Sequence, residues 1–89
     1  MRLSKDLFEE RLLHIIAAYL RLTRSGTKPE NVPVKLLVFQ YGFVRFTRTE
    51  SLAIALKELV YWVDRHRQND HRGNSPSKEQ MLSFIKNRI

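Results

Sequence analysis

A small, mainly α-helical domain of three to four helices is what this sequence predicts, and three observations carry the prediction. Apolar residues recur at helical spacing along three separate stretches. A capping residue stands before each stretch. No cysteine is present to staple a less regular fold. The 89 residues make one domain at most, spanning 1–89. A hydrophobic fraction of 43% suffices for a core and sets the chain apart from disordered sequences, despite 28% charged residues.

The first helix is expected from Ser4 to about Arg24. Phe8, Leu12, Ile15, Ile16 and Tyr19 repeat at helical spacing, and Leu13, Ala17 and Leu20 widen the stripe. Arg11, His14, Ala18 and Arg21 form the expected solvated edge. Arg21 and Arg24 suit the last turn, where cations complement the helix dipole, and Gly26 is a natural stop. Ser25 to Pro33 reads as a loop by composition.

Residues 34–47 admit two readings. As a helix–turn, Val34, Leu37, Val38 and Tyr41 repeat as i, i+3, i+4, i+7, and Gly42 ends the helix. As a β-hairpin, Val34–Phe39 and Phe43–Thr47 are strands joined by Gln40-Tyr41-Gly42. Propensity favours the hairpin, but an isolated two-stranded ribbon is marginal without cover. The helix–turn is the reading adopted, with the hairpin as the alternative.

The dominant element is the helix expected from Thr49 to Gln68. Leu52, Ala53, Ala55, Leu56, Leu59, Val60, Trp62 and Val63 fall on one wide arc, which predicts packing against more than one neighbour. Thr49 is the expected N-cap. A polar connector follows, and a last helix is expected over Pro76–Arg88. Either Ser75 caps it with Pro76 at its first position, or Ser77 and Gln80 form a capping box.

Composition narrows the function. Sixteen Lys and Arg against nine Asp and Glu give a net charge of +7, which favours an anionic partner, either nucleic acid or an acidic protein. No apolar run is long enough for a membrane span, and acids occupy the N-terminal stretch where an export signal would be apolar. A cytoplasmic protein without membrane contact is therefore expected. No Gly-rich phosphate loop is present. The histidines His66 and His71 with Asp70 lack the regular spacing of metal ligands. No catalytic residue, metal or cofactor is expected, and an enzyme is not predicted.

The leading expectation is a non-catalytic regulator that binds nucleic acid, DNA in the first place. Its contacts would be Arg45 and Arg48 before the long helix and Arg65, Arg67 and Arg72 around its far end. Arg45 and Arg48 stand out because cations at a helix N-terminus oppose the dipole. A helix–turn–helix reading would place Val34–Tyr41 first and Thr49–Arg65 as the recognition helix. The second expectation is a protein-binding regulator of the inhibitor or anti-repressor type known from phages and plasmids. Ile54 and Tyr61 interrupt the polar arc seven residues apart, so they share a face. They would contact an acidic regulatory protein, or a second copy in a homodimer.

One stretch resembles a known family. Tyr41, Gly42, Phe43, Val44 and Phe46 match the third-strand signature of the RNA-recognition motif. The resemblance implies a strand there, with Tyr41 and Phe43 stacking on bases. The chain departs from that pattern at Phe39 and Gln40, which replace the basic residue and the first glycine. It also predicts helices where the family has its first and fourth strands.

Overall fold

A computed structural model describes residues 4–44 and 48–89. Among the described residues the fold has four α-helices: α1 (Ser4–Arg24), α2 (Val34–Gln40), α3 (Thr49–Asn69) and α4 (Lys78–Lys86). A 3-10 turn, Pro29–Asn31, precedes α2. There is no strand among the described residues, so the mainly α expectation holds.

Residues 34–44 take the helix–turn form and not the hairpin, whose expected second strand runs beyond Val44 to residues outside those described. In α2 the residues Val34, Leu37 and Val38 are buried together, a face that alternating strand geometry would split. The helix ends in a glycine stop. Gly42 lies at φ +66°, where its lack of a Cβ matters. The Phe43 N–H donates to the Val38 carbonyl at 2.8 Å and the Gly42 N–H to the Phe39 carbonyl at 3.2 Å. That pairing is a Schellman motif, and its usual apolar contact is supplied by buried Phe43 and Val38. Gly26 stops α1 in the same way, with Thr27 N–H donating to the Leu22 carbonyl at 3.1 Å.

Helix α3 is the centre of the packing and touches α1, α2, α4 and the 3-10 turn. This is the reason for its wide apolar arc. Leu52, Leu56 and Leu59 are wholly buried against Leu12 and Ile15 of α1, Phe43, and Ile85 of α4 in one cluster. Tyr19 joins them, and its hydroxyl donates to the Pro29 carbonyl at 3.1 Å, which fastens the 3-10 turn to α1. Helices α1 and α4 run antiparallel. The Lys86 ammonium near the end of α4 meets the Glu9 carboxylate near the start of α1 at 2.8 Å.

Four expectations need correction. Arg48, and not Thr49, is the N-cap of α3, and no side chain caps that end. Helix α3 runs one residue further than expected, to Asn69. Helix α4 is shorter than Pro76–Arg88, because the capping box closes at Ser77 and Gln80. Gln80 N–H donates to Ser77 Oγ at 3.1 Å, and Ser77 N–H donates to Gln80 Oε1 at 2.8 Å. On α1 the two alanines exchange roles: Ala18 is buried, whereas Ala17 faces solvent. Helices α2, α3 and α4 all pack on α1, and the side they bury takes in Ala18 and leaves Ala17 out.

Candidate interaction surfaces

The basic residues divide into two groups. Arg48 is exposed at the start of α3, while Arg45 lies outside the described residues. Arg65 and Arg67 are exposed near the end of α3, and Arg72 is exposed in the following loop. That loop is shaped by Asp70, whose Oδ1 accepts from the Arg72 N–H at 2.7 Å. Arg67 Nε donates to the Gly73 carbonyl at 3.4 Å, at the edge of hydrogen-bond reach. Among the described residues, no carboxylate forms an ion pair with Arg48, Arg65, Arg67 or Arg72. Arg48 and Arg65 stand roughly 25 Å apart along the helix at 1.5 Å per residue.

The outer face of α3 between them is of mixed character. Glu50, Lys57, Glu58 and Asp64 are exposed there, so α3 carries no unbroken positive stripe. Within that face Ile54 is 63% and Tyr61 is 55% exposed, as their position on the polar arc predicts. Glu58 is held by Arg88, whose Nε lies 2.7 Å from its Oε2. Arg88 in turn sits over the Phe84 ring at 3.5 Å, and Phe84 stacks on Trp62 at 4.7 Å. Burial first, then the Glu30 carboxylate and Tyr61, push the Tyr19 hydroxyl up to about 12.

Two sequence motifs lose their basis. The helix–turn–helix reading needs a turn of about three to four residues, whereas the connection here runs from Tyr41 to Arg48. The resemblance to the RNA-recognition motif fails at its stacking residues. Phe43 is wholly buried, with its ring 5.2 Å from Phe8, and Tyr41 stacks on His14 at 5.6 Å and 7°. Tyr41, Gly42 and Phe43 close a helix, so neither ring has a sheet surface from which to meet a base, and Phe46 lies outside the described residues. No group of three or more His, Cys, Asp or Glu could hold a metal among the described residues. No helix among them is long and apolar enough to cross a membrane.

Two features escape the sequence reading. Leu36 and Phe39 of α2 are 65% and 79% exposed, and Val44 after it is 62% exposed. Once α2 is helical, positions 36 and 39 lie off the Val34–Leu37–Val38 stripe, so the helical reading already contained this signal. The second feature is an open groove of about 1000 Å³ along α1, closed on one side by the start of α4. Leu13, Ala17, Leu20 and Met81 form its floor, and Arg21, Arg24 and Lys78 stand on its rim. The periodicity marks Leu13, Ala17 and Leu20 as one apolar edge of α1 but not that they border a groove, because that depends on where α4 lands. No protein-family model, no curated protein and no solved structure matches the chain.

Proposed function

We propose that this protein is a non-catalytic, protein-binding regulator that works through the outer face of α3. The observation that supports this reading is the pair Ile54 and Tyr61, exposed in register on one helix and ringed by charges of both signs. An apolar centre with a polar rim is the usual form of a protein contact. Ile54→Glu puts a carboxylate into that centre while leaving the core untouched. Sedimentation of the full chain and of Ile54→Glu tests the reading first against a second copy as partner. A wild type that self-associates, with a monomeric variant, supports a homodimer. A monomeric wild type requires a different protein, retained by the wild type and released by Ile54→Glu. A wild type that does neither overturns the proposal.

Nucleic acid is the second reading, favoured by Arg65, Arg67 and Arg72, which form no ion pair among the described residues, and by the net charge of +7. Replacing Arg65 and Arg67 with Gln should weaken binding to every sequence alike. The slope of log K against log salt should flatten by about 0.9 for each duplex phosphate that is no longer neutralised, or about 0.7 on a single strand. Absence of salt-sensitive binding by the wild type to either form removes this reading.

A further inference from the structure

We propose that the groove between α1 and α4 is a second docking site, and that its occupant is an acidic amphipathic helix of a partner protein. The inference shares the protein-binding reading but depends on neither Ile54 nor Tyr61. Three observations lead to it.

Shape comes first. The groove follows one face of α1 from Glu10 to Arg24, a length of roughly 21 Å at 1.5 Å per residue, or about four helical turns. Its floor repeats at helical spacing, with Leu13, Ala17 and Leu20 along α1 and Met81 across from them. Two antiparallel helices with a channel beside them offer the ridges and grooves into which a further helix packs. Ala17 is exposed at the middle of the floor, and its small side chain lets a partner backbone come close.

Charge comes second. At one end of the groove stand Arg21, Arg24 and Lys78, all exposed, with no carboxylate in an ion pair with any of them among the described residues. Glu10 is the acid on the lining, and it belongs to the other end of α1. The groove therefore presents a cationic end to whatever lies in it, and a complementary helix carries acids there.

The third observation concerns Lys78. Arg21 and Arg24 complement the dipole of α1, so local stability explains them in part. Lys78 is the first residue of α4, where a cation opposes the dipole. Its charge is not explained by the helix that carries it. It is explained by an anionic group across the groove.

The test uses the full chain and a fluorescent synthetic helix of about four turns. One peptide bears a leucine stripe flanked by glutamates, and a second is identical except for lysines in place of the glutamates. Fluorescence anisotropy should show binding of the glutamate peptide, weakened by salt, and at least about tenfold weaker binding of the lysine peptide. Ala17→Glu should weaken the glutamate peptide by about tenfold or more, since it places a like charge on the apolar floor. Lys78→Glu should weaken it too, and that variant should stay folded because an acid suits the first turn of α4. Circular dichroism and thermal unfolding establish that both variants are folded. Ile54→Glu should leave peptide binding unchanged. A loss of binding in Ile54→Glu would move the peptide to the α3 face and overturn the groove alone. Failure of the glutamate peptide to bind, equal binding of both peptides, or indifference to Ala17→Glu would each overturn the proposal. So would self-association of the wild type that Ala17→Glu abolishes, since a second copy would then fill the groove.

Discussion

Helices α2 and α4 are both short, and they are held in place by different means. Helix α4 has a capping box at its start and buries only Ile85 outright. Its far end is tied by two exposed ion pairs, Lys86–Glu9 and Arg88–Glu58, each of a kind that contributes little. Helix α2 has no side-chain cap, and seven residues are too few to persist as an isolated helix. Three of those seven are buried, and Phe43 closes its end from within the core. The start of α4 is thus written in neighbouring residues, and α2 is written in residues distant along the chain. What decides a short helix is then either a cap or a core contact, and the two can be separated by mutation.

The largest effect is expected from Phe43→Ala. Phe43 is wholly buried, meets Phe8, and supplies the apolar half of the glycine stop after α2. Truncation should cost about 3–5 kcal/mol, a large share of the roughly 5–15 kcal/mol that holds a domain of ordinary stability. Chemical denaturation should show the loss, and hydrogen exchange should show α2 losing protection before α4. Leu56→Ala, at the centre of α3, should cost about 2–5 kcal/mol, but without that preference for α2. Equal loss of protection in α2 and α4 on Phe43→Ala would mean that α2 does not depend on this contact in particular.

Ser77→Ala tests the other side of the comparison. It removes the acceptor for the Gln80 N–H and should cost about 1 kcal/mol. Exchange should rise at the start of α4 and stay unchanged in α2. A denaturation midpoint indistinguishable from the wild type, with α4 still protected, would show that packing and not the cap holds this helix.

The same contrast decides what could be read from the sequence. Helices α1 and α3 were legible because each repeats its apolar stripe over 21 residues, long enough for periodicity to be unambiguous. The start of α4 was legible as one of two cap readings, and the capping box selects between them. Over Val34–Thr47 the period is too short to separate helix from strand, and for Val34–Gln40 burial against α1 and α3 decides. Ala17 and Ala18 were exchanged because alanine fits either side of a helix and only its neighbours choose. On the surface, Ile54 and Tyr61 were legible as breaks in a long pattern. The α1–α4 groove was not, because its walls come from residues more than fifty positions apart, Leu20 and Met81 among them.

The smallest expected effect, and the finest test, is at Tyr19. Its hydroxyl donates to the Pro29 carbonyl and so fixes the turn from which α2 starts. Tyr19→Phe keeps the ring in the core and deletes one hydrogen bond, which should cost about 0.5–1.5 kcal/mol. The cost should depend on pH in a definite direction. In the folded chain the hydroxyl is pushed up to about 12, by burial first and then by Glu30 and Tyr61. In the unfolded chain a tyrosine ionises near about 10. Between those values the folded state keeps a proton that the unfolded state has released, so stability falls as pH rises. The contribution of Tyr19 is therefore complete below about pH 10 and is lost as pH climbs towards 12. Tyr19→Phe has no proton to lose at this position. Its disadvantage relative to the wild type should be constant from neutral pH to about 10 and should shrink above that. Denaturation midpoints of both proteins across the alkaline range measure the difference directly. A gap that stays constant through that range would mean that the hydroxyl ionises alike in folded and unfolded chains, and a gap of zero at neutral pH would mean that the bond to Pro29 does not anchor the turn before α2.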